Sequence, residues 1–305
     1  MTPDPYLVTA DIIDGNAIAQ QVRDELLPRI ERLVARGVTP GLAVVLVGDN
    51  PASATYVRGK MRDSAEVGIR SETFRLPATA SQAEIFDTVS RINADRAWHG
   101  LIVQTPLPGH VDTETVLAAV DPAKDVDGLH PVSQGRLMRG VPTFLPATPH
   151  GVQQLLVRSG HPPDGKHVVI CGRSNLVGKP LAALLLAKRP GANATVTVCH
   201  TGTPDIAQFT LQADILVAAM GRAGAITADM VREGAVVIDV GTNSVPDASR
   251  KSGQRLVGDV DFAAVREKAA AITPVPGGVG PMTRAMLLLN TVIAAEGGPQ
   301  AASAS

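Results

Sequence analysis

A chain of 305 residues with 45% hydrophobic and 19% charged side chains has globular composition and enough apolar surface for two α/β domains. The 28 basic and 29 acidic residues leave a net charge of -1, which gives no electrostatic case for nucleic acid or an anionic membrane as partner, and 3% aromatic content argues against base-stacking platforms. The two cysteines, Cys171 and Cys199, each end an apolar β-branched run outside any CxxC spacing, so a disulfide framework or thiolate metal site is not expected and both read as core residues.

The opening stretch, MTPDPYLVTADIIDG, is acidic and does not have the basic start and apolar run of a signal peptide. No apolar stretch is long enough to span a bilayer, so the expected location is the cytoplasm. A continuous apolar run over 42–47 (LAVVLV) reads as a strand, followed by a helix over 53–67 with Ser53 as its cap. A short strand over 73–76, a helix over 82–93, a strand over 101–104 and a helix over 113–120 follow. The stretch 121–149, rich in Pro and Gly, breaks this rhythm and reads as a long functional loop with an interdomain connection. Strands over 167–171, 195–199, 215–218 and 236–240 then restart the pattern, and a last helix is expected over 281–295. Apolar strands alternating with helices indicate parallel sheets covered on both faces. The expected fold is α/β with two domains and a cleft between them, an N-terminal parallel-sheet catalytic domain and a Rossmann-type dinucleotide domain. The Ala/Ser/Gly tail over 297–305 is expected to fray.

The segment HVVICGRSNLVGKPLAALLL is strand, tight turn, helix. Gly172 lets the chain turn, Gly178 permits close backbone approach, and free N–H groups at the helix start suit an anion. The spacing is G-x5-G rather than GxGxxG, so by itself it reads equally as a structural turn. The next strand ends Cys199-His200-Thr201 without the carboxylate that an NAD ribose would use, whereas Arg173 and Ser174 in the first turn suit a 2′-phosphate. NADP is therefore favoured over NAD. His200 reads equally as a phosphate contact or a satisfied strand-end histidine.

Tyr56 and Lys60 lie four apart and share a helix face. A buried lysine loses protonation and can handle protons, although spacing alone favours an ordinary helix lysine. Gln104 stands at the carboxyl end of a buried strand, where open α/β sheets bind ligands. The loop PAKDVDGLHP carries Asp125 and Asp127 beside Gly128; their carboxylates suit the N–H groups of a heterocycle, and also suit turn formation or a metal. The loop TPVPGGVGPMT carries Pro276, Gly277, Gly278, Gly280 and Pro281 and could line a flat substrate.

PASATYVRGK, GLIVQTPLPG, DPAKDVDGLHP, PATPHGV, VVICGRSNLVGKPLAALLL, TVTVCHTGT, ADILVAAMG, VVIDVGTN, VGDVDF and TPVPGGVGPMTRAML occur in order along the chain. Together they resemble the bifunctional methylenetetrahydrofolate dehydrogenase/methenyltetrahydrofolate cyclohydrolase family. The resemblance implies NADP-dependent oxidation of 5,10-methylenetetrahydrofolate, then hydrolysis to 10-formyltetrahydrofolate, in one-carbon metabolism and purine biosynthesis. It implies a folate-binding catalytic domain over 1–149, completed by the C-terminal helix 281–298, and an NADP-binding domain over 150–280. It makes Lys60 the principal catalytic lysine, tuned by Gln104, with Tyr56 holding folate, Asp127 anchoring the pterin and Pro276, Gly277 and Gly278 touching substrate. Gly172, Arg173, Ser174, Thr201 and the backbone at Thr242 would bind NADP. No metal is implied, and a homodimer is. Thr105, Thr201 and Thr242 depart from the usual residues of the family without removing a reactive group. Amino-acid or shikimate-type dehydrogenases also use a cleft lysine, but the KDVDG and PVPGGVGPMT loops argue against them.

Overall fold

The structure is a computed structural model that describes residues 9–250 and 253–298. The opening residues 1–8 and the tail from 299 on, where fraying is expected, lie outside the described residues. In chain order the first half carries β1 (Asp11–Ile12), α1 (Gly15–Ala35), β2 (Gly41–Val47), α2 (Pro51–Val67), β3 (Arg70–Leu76), α3 (Gln82–Ala94), β4 (Gly100–Val103), α4 (Thr113–Leu117) and α5 (Pro131–Met138). Then come α6 (Ala147–Arg158), β5 (His167–Cys171), α7 (Gly178–Leu185), β6 (Thr195–Cys199), α8 (Ala207–Thr210), β7 (Ile215–Ala218) and β8 (Val236–Asp239). The last elements are β9 (Asn243–Pro246), β10 (Gln254–Val257), α9 (Phe262–Arg266), β11 (Ala271–Ile272) and α10 (Val279–Ala295).

These elements form two compact units. One comprises Gln20–Ala147 and the chain from Arg284; the other comprises the chain up to Ala19 and Thr148–Thr283. The first holds a parallel three-stranded sheet in the order β3-β2-β4. Its central strand β2 is buried throughout, which is why its sequence is a continuous apolar run rather than an alternation. Ile85, Val89 and Ile92 of α3 pack with Trp98, Leu101 and Val103 against it. The second unit holds a six-stranded sheet in the order β1-β11-β8-β7-β5-β6, parallel throughout. A two-stranded antiparallel hairpin, β9-β10, follows β8.

Several expectations are corrected. Ser53 does not cap α2 but lies buried inside it: the cap is Asn50, whose side chain accepts from the amides of Ala52 at 3.0 Å and Ser53 at 3.2 Å, with Pro51 at the first helical position. The stretch 121–149 is not one loop. Pro131 opens α5 rather than breaking a helix, and His130 caps it, its Nδ1 accepting from the amide of Val132 at 3.0 Å. The helix α1 and the short strands β1 and β11 were not expected from the sequence. Among the described residues no helix is long and apolar enough to cross a membrane.

Candidate active site

Three of the four expected chemistry residues, Lys60, Gln104 and Asp127, meet in the three-stranded unit, and the fourth, Tyr56, shares the helix of Lys60. Lys60 projects from α2 and is 7% exposed. Its Nζ donates to Gln104 Oε1 at 3.0 Å. Gln104 is held at the end of β4 by its own amide, which donates to the Val45 carbonyl at 2.9 Å. Its side-chain Nε2 donates to the Thr105 carbonyl at 2.7 Å, so the amide is oriented with its oxygen towards the lysine. Tyr56 stands one turn earlier on the same helix, half-buried.

The electrostatics follow from burial. Burial pushes the Lys60 amine down from the usual lysine range; the Asp127 carboxylate opposes this, and the Arg284 guanidinium adds to it. Burial pushes the Asp127 carboxyl up, opposed by Lys60 and reinforced by Asp125. Burial thus disfavours the charged form of each group, while each charge favours the other's. Asp125 acts differently. Its two oxygens accept from the amides of Leu129 at 3.1 Å and His130 at 2.9 Å, so this half of the aspartate pair is a turn-former. Gly128, at φ 72°, closes the loop where an added Cβ would lie 2.7 Å from Pro146 Cα. Among the described residues no group of three His, Cys, Asp or Glu side chains could hold a metal ion.

Two residues beside this cluster escaped sequence reasoning. Arg284, on α10, donates through Nε to Asp63 Oδ2 at 2.5 Å, and Asp63 is 1% exposed. Asp63 sits three residues after Lys60, a spacing that could have signalled it. Nothing local could have signalled Arg284, which lies 221 residues from its partner.

The remaining candidates sit at the carboxyl ends of the strands of the six-stranded sheet. After β5, Gly172 has φ 139°, and an added Cβ would lie 2.1 Å from the Ala219 carbonyl oxygen. A Cβ on Gly178, the first residue of α7, would lie 2.0 Å from the Gly172 carbonyl oxygen. Only glycine fits either position, and the result is a bare backbone cradle at a helix start. Arg173 and Ser174 are exposed on this turn. After β6, Thr201 is exposed, while His200 Nδ1 accepts from the Gly202 amide at 3.0 Å and is used within its own turn. Thr242 is exposed after β8. Pro276, Gly277 and Gly278 follow β11 and so belong to this unit and not to the one that holds Lys60.

An α/β chain with a glycine cradle in a Rossmann-type sheet and a buried lysine-amide-carboxylate cluster is the class of a nucleotide-dependent enzyme. Residues 13–127 match the catalytic domain of tetrahydrofolate dehydrogenase/cyclohydrolase, and residues 146–298 match the NAD(P)-binding domain of the same family. The chain is 59% identical over 291 residues to the "Bifunctional protein FolD" of Salinibacter ruber (strain DSM 13855 / M31), covering 95% of this chain and 97% of the relative. Among solved structures it is similar to the bifunctional FolD methylenetetrahydrofolate dehydrogenase/cyclohydrolase of Campylobacter jejuni, with 44% identity, TM-score 0.88 and coverage of 94% and 99%. It is also similar to the Trypanosoma brucei N5,N10-methylenetetrahydrofolate dehydrogenase-cyclohydrolase complexed with NADP cofactor and inhibitor, with 42% identity, TM-score 0.90 and coverage of 95% and 98%. The chain belongs to the tetrahydrofolate dehydrogenase/cyclohydrolase family.

Proposed function

We propose that this protein oxidises 5,10-methylenetetrahydrofolate to 5,10-methenyltetrahydrofolate with NADP and then hydrolyses the product to 10-formyltetrahydrofolate. The observation that carries this reading is the buried Lys60, hydrogen-bonded to Gln104 and charge-coupled to Asp127, in a chain of this family.

The cradle at Gly172 and Gly178, which a Cβ would fill, suits a dinucleotide phosphate. Arg173 and Ser174 would hold the 2′-phosphate, aided by Thr201 and the backbone at Thr242. NADP supplies the two-electron oxidant when bound. For the hydrolysis the chain supplies proton handling. Lys60 Nζ receives a proton as a water oxygen bonds the methenyl carbon. As the bond from that carbon to N5 breaks, N5 takes up one proton and one leaves to solvent. Gln104 Oε1 holds Nζ in place, Tyr56 packs on the folate, and Asp127 anchors the pterin. Pro276, Gly277 and Gly278 also contact folate.

The folate domain on this reading spans 1–149 with the C-terminal helix 281–298, and the NADP domain spans 150–280. The enzyme works in the cytoplasm as a homodimer, without nucleic acid or membrane partners, and feeds formyl groups to purine biosynthesis. The test follows NADPH formation and methenyl decay separately, with purified protein, methylenetetrahydrofolate and NADP. NADPH should form, and methenyl should decay faster than in buffer. No NADPH would overturn the first activity, and decay at the buffer rate the second.

A further inference from the structure

Arg284 and Gly59 complete an arrangement around Lys60 that the reaction above does not use. A Cβ added at Gly59 would lie 3.2 Å from Arg284 Cδ, 3.4 Å from its Nε and 3.7 Å from its Cζ. The arginine stem therefore lies directly on the bare backbone of α2, against the residue that precedes Lys60. From there Nε reaches Asp63 Oδ2, three residues beyond Lys60. The other carboxylate oxygen, Oδ1, accepts from Arg62 Nε at 3.0 Å and Nη2 at 2.8 Å. Asp63 thus has a cation on each oxygen, and the group carries a net positive charge beside the lysine. Arg62 is largely exposed and screened by water, with a side chain 71% exposed, whereas the Arg284 side chain is 18% exposed.

We propose that Arg284, pinned by Asp63 in the space that Gly59 leaves open, is a positioning residue for Lys60: it braces the helix turn that carries the amine and sets a fixed positive charge beside it. The inference rests on the functional reading above. Three groups act on Lys60: Gln104 from the end of β4 by hydrogen bond, and Asp127 from the following loop and Arg284 from α10 by charge, while Asp125 acts on Asp127, and Arg62 and Asp63 lie on the same helix with Arg62 turned largely to solvent. Asp127 favours the protonated amine and Arg284 opposes it. Hydrolysis needs the free amine, so the arginine offsets the aspartate that the pterin requires.

The experiment measures methenyl hydrolysis against pH for wild type, Arg284→Met and Arg284→Lys. Arg284→Met keeps much of the stem's packing and removes the charge. Hydrolysis at neutral pH should fall on the order of tenfold, with the limb on which Lys60 loses its proton moved to higher pH. Arg284→Lys should return that limb towards wild type. A limb that stays at the wild-type pH in Arg284→Met overturns the proposal, whatever the rate. Should Arg284→Met fail to fold, Gly59→Ala, which presses on Cδ, should shift the limb in the same direction by less; no shift is again a refutation. Titration of the Lys60 ammonium by NMR separates this from the functional reading. A wild type without hydrolysis overturns that reading, and an unmoved Lys60 titration in Arg284→Met overturns this one.

Discussion

The Asp239 and Asp259 pair of the six-stranded unit and the Lys60 cluster of the three-stranded unit hold buried charge in opposite ways. In the six-stranded unit, Asp259 is fully buried and accepts from the amides of Met220 at 2.5 Å, Gly221 at 2.9 Å and Arg222 at 2.9 Å, and from Asn243 Nδ2 at 2.8 Å. Asp239 accepts from the amides of Gly241 at 2.9 Å, Asp259 at 2.9 Å and Val260 at 3.0 Å. Gly241 and Gly258 make the space: an added Cβ would lie 2.3 Å and 1.8 Å from the Asp259 and Asp239 carboxylates. Here every carboxylate oxygen is satisfied, chiefly by backbone amides, and the loop after β7 and the end of β8 are both tied to the segment that follows β10. In the three-stranded unit, Lys60 donates to a neutral amide, and Asp127 faces it without an amide lattice of its own. Saturated buried charge builds a scaffold, whereas under-satisfied buried charge remains available for proton chemistry.

The largest effect should come from the reactive side of this contrast. Lys60→Met should slow methenyl hydrolysis by at least about a hundredfold. Its thermal stability should change little, because relief from burying the amine offsets the loss of a partner for Asp127 and Gln104. Wild-type hydrolysis in that variant would remove Lys60 from the mechanism. The scaffold should respond the other way. Asp259→Ala takes the acceptor from four part-buried donors and should cost about 2 kcal/mol of stability, read by urea unfolding. If it unfolds like wild type, the saturated lattice is not what holds those loops. A smaller effect is expected at the solvent-open turn. Arg173→Ala should weaken NADP roughly tenfold in a binding titration and leave NAD almost unchanged. Equal weakening of both would remove the 2′-phosphate assignment.

Much of this was legible in the sequence, because the parallel-sheet strands are continuous apolar runs and the glycine turn sits where a strand meets a helix. Tyr56 and Lys60 were legible as one helix face. That Lys60 is buried and bonded to Gln104 was not, since the two are 44 residues apart. The helix α1 does carry a signal in its sequence: Ile18, Val22, Leu26, Ile30 and Leu33 are all buried at helical spacing, with Pro28 masking the pattern. The two-residue strands β1 and β11 are too short to show periodicity. The Pro and Gly content of 121–149 hides α5, because Pro131 stands at the first helical position, where proline is favourable. Asp239 and Asp259 look like ordinary loop acids in sequence, because backbone amides brought in from other loops leave no trace in the residues themselves.

The scaffold also carries a test in its pH dependence, where the expected effect is smallest because two ionisations oppose each other. His150 is pushed down to about 4, chiefly by burial, with Arg189 and Arg158 adding to it; its Nδ1 is buried without a hydrogen-bond partner. Between about 4 and its ordinary 6.5 the unfolded chain binds more protons than the folded one, so this group's contribution to stability falls as pH falls. Asp239 is pushed up to about 6 by burial, against the pull of its three amide donors. Between its ordinary 3.8 and about 6 the folded chain binds the extra proton, so this group's contribution is lost as pH rises. From about pH 4 to 6 the two slopes oppose, and the wild-type unfolding free energy should change little. His150→Gln should leave the Asp239 slope, with stability falling as pH rises, by at most about 1.4 kcal/mol per pH unit. Asp239→Asn, less stable at every pH for want of one acceptor, should show the reverse slope. Urea melts from pH 4 to 6.5 measure both. If His150→Gln keeps a flat profile, the amide lattice holds Asp239 ionised, and the scaffold's carboxylates are more fully satisfied than its burial implies.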